Sequence, residues 1–149
     1  MERFIGNMDA KTDVKGRVFV PATFRKILQT AGETQLVLRK DIFQDCLILS
    51  PGSVWNDELS ELRSKLNKYD EEQQQTYRKF SLEVEIVEID SNGRILIPKK
   101  YQQLAKIGSE VRFVGVNDTI EIWNKEILEK ITLSPVAFKE NVKKFLGSK

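Results

Sequence analysis

Apolar positions along this chain fall into one pattern written twice. "RVFV" (residues 17–20) and "RILI" (94–97) are apolar, β-branch-rich runs behind an arginine, which predicts strands buried on both faces or nearly so. Pro21 and Pro98 then stop each strand, because proline brings no N–H to a ladder yet suits the start of a helix. Phe24, Ile27, Leu28 and Ala31 lie on one helical stripe, with Gly32 as its C-terminal stop. Tyr101, Leu104 and Ala105 repeat that stripe, closed by Gly108. Two strands follow each helix, "QLVLR" and "CLILS" in the first copy, "EVRFVGV" and "TIEIW" in the second. Ahead of the second copy "LEVEIVEID" alternates, predicting Val84 and Ile86 inward, then Val87 and Ile89 after a bulge, with Glu83 and Glu85 on the wet face. "RFIGNMDAKTD", ahead of the first copy, is a weaker strand.

Between the copies Trp55, Leu59, Leu62, Leu66 and Tyr69 recur at steps of four and three, an amphipathic helix with a heptad-like seam. Packing on the chain's own core and packing between subunits are both open to that seam. Asp70 with Gln73 caps a second helix running to about Leu82. After Pro135 a short stripe of Phe138, Val142, Phe145 and Leu146 faces away from Lys139, Lys143 and Lys144. The expected architecture is α+β: repeat one over 7–54, a helical linker over 55–82, repeat two over 83–126 and a helical tail over 127–149.

The phrase at the head of each copy carries the chemistry. "DVKGRVFVPATFR" (13–25) returns as "DSNGRILIPKKYQ" (90–102), a spacing of 77 residues that suits a duplicated half-domain rather than a solenoid. Aspartate at the first position and glycine at the fourth predict a type I turn, the carboxylate capping backbone N–H groups and the glycine taking a positive φ. Asn92-Gly93 adds a hairpin signal. Asp13–Gly16 and Asp90–Gly93 are therefore hairpin tips, and Arg17 and Arg94 emerge directly beside them. Two readings of these arginines stand. Each clasps its own aspartate across the turn, a weak exposed ion pair; or each presents a guanidinium fork outward, fitted to phosphate or a guanine edge. The turn itself requires the aspartate and the glycine but no arginine, and the arginine appears twice.

Composition removes whole classes of chemistry. With no histidine among 149 residues there is no histidine-based triad or general base, and a single cysteine makes neither an internal disulfide nor a zinc site. Cys46 sits in the apolar run "DCLIL", which predicts a buried, inert thiol. Glu83, Glu85 and Glu88 near Asp90 are the best case for paired catalytic carboxylates, and strand alternation argues against it. No cofactor or metal is expected. No apolar run approaches the roughly 20 residues that span a bilayer, and the opening "MERFIGNM" has no signal-peptide core, so a cytoplasmic protein is expected. Net charge is only +2, but it is uneven: +2 over residues 1–50, −4 over 51–89 and +4 over 90–149. The repeated phrases lie in the basic parts, which suits an anionic partner.

On these residues the chain resembles the MraZ family. The run from Val87 to Trp123 is similar to the swapped-hairpin DNA-binding domain of the AbrB and SpoVT regulators, and the doubled Asp-x-x-x-Arg phrase joined by a helical linker resembles MraZ over roughly residues 3–131. The resemblance implies a pseudo-two-fold, β-barrel-like core of two half-domains. It implies a nucleoid-associated regulator, mainly a repressor of the division and cell-wall gene cluster, that binds promoter repeats in double-stranded DNA as a homo-oligomeric ring. By position it assigns DNA contact to Arg17 and Arg94 and the family's turn aspartates to Asp13 and Asp90, beside the turn glycines Gly16 and Gly93 read above. Arg25 stands where the family commonly has a second basic residue, and the equivalent position in the second copy is Gln102. Lys15 and Lys99 are further candidate phosphate contacts. A protein-binding scaffold or antitoxin-like partner is the alternative, motivated by the apolar seam and tail.

Overall fold

A computed structural model describes residues 3–147. The first copy comprises β1 (Asn7–Lys11), β2 (Arg17–Phe19), α1 (Ala22–Thr30), β3 (Gln35–Lys40) and β4 (Cys46–Pro51). Two helices follow, α2 (Gly52–Lys65) and α3 (Glu71–Leu82). The second copy comprises β5 (Val84–Glu88), β6 (Arg94–Leu96), α4 (Lys99–Leu104), β7 (Glu110–Val116) and β8 (Thr119–Asn124). The chain ends in α5 (Lys125–Ile131) and α6 (Pro135–Leu146). The fold is α+β, as the pattern predicts.

Six strands form one antiparallel sheet in the order β1-β7-β8-β4-β3-β5, and β2 pairs with β6 in a separate two-stranded ribbon. Exchanging the copies turns the six-strand order into its own reverse, so the halves are related by a pseudo-two-fold. Each copy lends its first strand to the other: β1 lies on β7, with Met8 opposite Phe113, and β5 lies on β3, with Val87 opposite Leu36. One sheet face carries Leu36, Leu38, Leu47, Leu49, Val111, Phe113, Ile120 and Ile122, all buried. Against it pack the helix stripes (Phe24, Leu28, Tyr101) and the ribbon's inner residues Val18, Val20, Ile95 and Ile97. Phe4 closes this core edge-to-face on Phe24, ring centroids 5.5 Å apart. The opposite face is covered at its centre by α2, whose buried Trp55 carries the Arg39 guanidinium 5.1 Å from its ring. Cys46 is fully buried.

Several local expectations are corrected. The ribbon strands are not buried on both faces: Val18 and Ile95 point inward, while Phe19 and Leu96 are 53% and 52% exposed. Two strands standing apart from the main sheet have only one core to face, so ordinary alternation holds. β5 has no bulge; its pairing with β3 runs unbroken from Gln35–Glu88 to Arg39–Val84. Val87 therefore points inward and Ile86, on the opposite face of an edge strand, is 63% exposed. Glu85 shares the inward side with Val87 but stays exposed at the sheet edge. α1 does close on Gly32 (φ +70), whose N–H donates to the Gln29 carbonyl while Glu33 N–H reaches Leu28 O. α4 closes instead at Lys106 (φ +53), two residues before Gly108. Lys106 is held there by Asn124, whose side-chain amide donates to its carbonyl at 2.8 Å, and by an ion pair with Asp45 at 3.2 Å. The heptad-like seam stops at Leu66, which leaves the helix (φ −104, ψ 132), so Tyr69 lies exposed in the following turn. Asp70 caps α3 by accepting from Gln73 N–H at 3.0 Å, while the Gln73 side chain turns back to accept from Asn67 N–H.

Candidate nucleic-acid interface

Both tips are built as their residues require. Asp13 O accepts from Gly16 N–H at 3.0 Å and Asp13 N–H donates to Arg17 O at 2.9 Å; Asp90, Gly93 and Arg94 repeat this at 3.0 and 2.8 Å. Oδ1 of each aspartate accepts two further N–H groups, from Lys15 and Arg17 in one tip and from Asn92 and Arg94 in the other, all at 2.9 Å. Those bonds favour the ionised carboxylate. The Arg17 N–H holds Asp13 below its ordinary pKa and the Arg94 N–H does the same for Asp90, the arginine side chains adding to each. Gly16 and Gly93 take φ +91 and +87.

The clasp forms in both tips. Oδ2 of Asp13 accepts from Arg17 Nε at 2.7 Å, and Oδ2 of Asp90 accepts from Arg94 Nε at 3.1 Å. The clasp engages Nε alone. Among the described residues the Nη groups of both arginines make no hydrogen bond, so each carboxylate fixes the root of a fork whose two outer nitrogens stay free. Cross-strand register then places both forks together. Arg17 lies opposite Leu96 and Phe19 opposite Arg94. Because residues two apart share a face, Arg17, Phe19, Arg94 and Leu96 all project from the outer side of the ribbon. The Arg94 guanidinium lies 5.8 Å from the Phe19 ring centroid.

Across the pseudo-two-fold each tip is gripped by the other copy. Val20 N–H donates to Gly93 O at 3.0 Å, and Ile97 N–H donates to Gly16 O at 2.9 Å. Arg25 is half-buried over the second tip, its Nη1 donating to Val20 O at 3.1 Å and to Gly93 O at 3.4 Å. Gln102 does the equivalent over the first, its amide donating to Ile97 O at 2.7 Å and reaching Lys15 O at 3.5 Å. Any Cβ on Gly93 would strike the Arg25 guanidinium, and one on Gly16 would strike the Gln102 amide and lie 2.8 Å from Ile97 O. This cross-copy clamp is absent from the reading of the sequence alone. Its one signal there is position: Arg25 and Gln102 both stand four residues after the proline, and both are long N–H donors. Lys15 and Lys99 are exposed, at the first tip and at the first turn of α4 respectively.

Phe19 and Leu96, expected in the core, lie instead on the arginines' face of the ribbon. Among the described residues no group of three or more metal-ligating side chains is brought together. A groove of about 540 Å³ runs between α3 and the β3–β5 edge, lined by Arg39, Ile42, Thr76, Lys79, Phe80 and Val84 among others, and shares no residue with the tips. Among the described residues no helix is long and apolar enough to cross a membrane.

Fold and site together define a duplicated swapped-hairpin protein that displays two arginine-bearing tips on one ribbon. The family model described as "MraZ protein, putative antitoxin-like" matches residues 80–139. A protein called transcriptional regulator MraZ from Phocaeicola vulgatus is 52% identical over 146 residues, covering 98% of this chain and 95% of its own. One of the same name from Bacteroides fragilis is 56% identical over 138 residues (93% and 87% of the two chains), and one from Flavobacterium psychrophilum is 34% identical over 130 (87% and 82%). The chain belongs to the MraZ family, a family of transcriptional regulators and not of enzymes.

Proposed function

We propose that this protein is a sequence-specific, double-stranded-DNA-binding regulator that represses the division and cell-wall gene cluster containing its own gene. It acts in the cytoplasm, on the nucleoid. The observation that carries this reading is the Nε-only clasp: Asp13 and Asp90 pin Arg17 and Arg94 at their roots and leave two free forks on one exposed face. A fork held this way keeps the geometry that guanine O6/N7 or a phosphate accepts, with less rotamer freedom to lose on binding. Lys15 and Lys99 supply phosphate contacts beside the forks. Arg25 serves the same surface by holding the Gly93 tip, with its second Nη group available to the backbone of the duplex.

One subunit of net charge +2 offers few phosphate contacts, so tight binding rests on several subunits engaging repeated promoter boxes through effective concentration. A homo-oligomer, closed into a ring, is also what the unpaired outer edges of β1 and β5 and the exposed stripe Phe138, Phe145 and Leu146 on α6 favour.

Arg17→Ala/Arg94→Ala tests the reading in a mobility-shift titration against the DNA upstream of the protein's own gene, at two salt concentrations. Each lost base contact removes roughly 1–3 kcal/mol, so the double variant binds at least about thirty-fold more weakly. Each lost phosphate contact also lowers the salt slope by about 0.9. Circular dichroism should remain that of wild type, since both side chains leave the core untouched. A double variant that still shifts the promoter like wild type overturns the proposal and leaves the protein-binding scaffold as the better reading.

A further inference from the structure

The outer face of the ribbon is not uniformly cationic. Each of its two levels pairs one guanidinium with one bare apolar side chain: Arg17 across from Leu96, and Arg94 across from Phe19. Phe19 and Leu96 are more than half exposed, although their neighbours Val18 and Ile95 are buried at 1%. The fold gives them no packing partner sufficient to cover them. Phosphates give them none either, since an anionic oxygen gains nothing from a benzyl or isobutyl group. A surface evolved only to hold a polyanion by charge would carry polar side chains at both positions.

Resting on the DNA-binding reading above, we infer that Phe19 and Leu96 are specificity-determining residues that contact the C5-methyl groups of thymines in the major groove. The arrangement suits that groove. It is about 12 Å wide and admits a two-stranded β-ribbon, and among base edges there the thymine methyl is the apolar feature. Spacing agrees as well. Arg17 and Arg94 are diagonal neighbours on the ribbon, about 7–8 Å apart at the backbone, which is close to two base-pair steps at about 3.4 Å each. An apolar side chain stands directly opposite each fork, about 5 Å across the ribbon, in reach of a base next to the one the fork engages. Forks and apolar side chains thus address the floor of one groove together, the forks taking acceptor edges and Phe19 and Leu96 taking methyls.

The probe is the region upstream of the protein's own gene, amplified once with dTTP and once with dUTP, so that the second duplex lacks the methyls but keeps every hydrogen-bonding edge. Wild type should bind the thymine duplex more tightly, by about four-fold for each methyl buried and about fifteen-fold for two, as expected for a methylene-sized apolar group. Phe19→Ser/Leu96→Ser should bind both duplexes alike, at the affinity wild type shows for the uracil duplex. Leu96→Ser alone, which leaves the Phe19–Arg94 contact in place, should lose about half of the discrimination on a logarithmic scale. Equal binding of the two duplexes by wild type overturns the inference and leaves DNA binding intact. So does a full preference for thymine in the double serine variant, or a serine variant that weakens both duplexes while keeping the preference. If wild type binds neither duplex better than one of scrambled sequence, the DNA-binding reading itself fails, and that result is distinct from the others.

Discussion

Asp13 and Asp90 each accept three bonds on one carboxylate, two from backbone N–H groups and one from an arginine Nε, all within their own turn. Every one of these partners favours the charged form, so both groups titrate below the ordinary 3.8 in the folded protein. Asp9, held by Arg112 at 2.8 Å and Lys125 at 3.1 Å, is lowered in the same direction. A carboxylate whose folded value lies below its unfolded value binds fewer protons when folded, so stability rises with pH. The contribution is complete above the unfolded value and disappears as pH falls through the lower folded values. Asp13→Asn/Asp90→Asn should therefore flatten the acid limb of the thermal midpoint between about pH 5 and pH 2, relative to wild type. The same variant loses the anchor for both Nε groups, and its arginines become freely rotating. An acid limb as steep as wild type would show that other carboxylates control it. At the opposite extreme stands Cys46, whose burial pushes its thiol up to about 12 and keeps it protonated at neutral pH.

At the scale of elements, what was visible in the sequence follows from how locally each signal is decided. The α1 stripe Phe24, Ile27, Leu28 was legible because period 3.6 against one core leaves no second solution. The tips are legible because Asp and Gly at fixed offsets specify a turn from within four residues. β2 and β6 are harder to read, because an all-apolar triplet looks the same whether a strand lies between two layers or has one bare face. Phe19 and Leu96 lie on that bare face. The Gly93–Arg25 clamp was illegible because it joins residues 68 apart in the chain. The Lys106 stop replaced Gly108 because tertiary partners, Asn124 and Asp45, outweighed a local preference. α2 shows what lies between these extremes. Its seam named Trp55 as inward, but not that the indole would lie under Arg39, which is paired in turn to Glu58 at 3.2 Å. Trp55→Ala removes a buried indole and the platform for that guanidinium, and should cost about 3–5 kcal/mol. Urea unfolding measures it. Because α2 covers the sheet face remote from the ribbon, DNA affinity of the folded variant should match wild type; a loss of affinity with the fold intact would mean that α2 shapes the interface.

For the molecule as a whole, the swap between copies decides how much of the fold either half holds on its own. Of the six strand pairings, only β3–β4 and β7–β8 lie within one copy; β1–β7, β2–β6, β3–β5 and β4–β8 join the two. The ribbon that carries the arginines is itself half from each copy, so neither copy alone forms that surface. The clamps of Arg25 on the second tip and Gln102 on the first tie the copies again at the site itself. By contrast, the connection between α2 and α3, residues 66–70, crosses the surface with Tyr69 exposed, and no strand pairing depends on it. Cutting there should therefore leave the architecture whole. A protease site inserted between Lys68 and Tyr69 should yield a nicked protein that elutes as one complex, keeps its circular dichroism and still shifts promoter DNA. Separated in denaturant, each fragment would expose two sheet edges and the apolar face that its partner had covered, and should stay unfolded or aggregate. Mixing the two fragments during dilution should restore both the fold and the DNA shift, at a rate that depends on concentration because four pairings now form between separate chains. If either fragment refolded alone to a cooperative monomer, the copies would be independent domains joined by a linker. The palindromic strand order would then describe packing between domains and not the folding unit, and the two arginines could be presented one at a time.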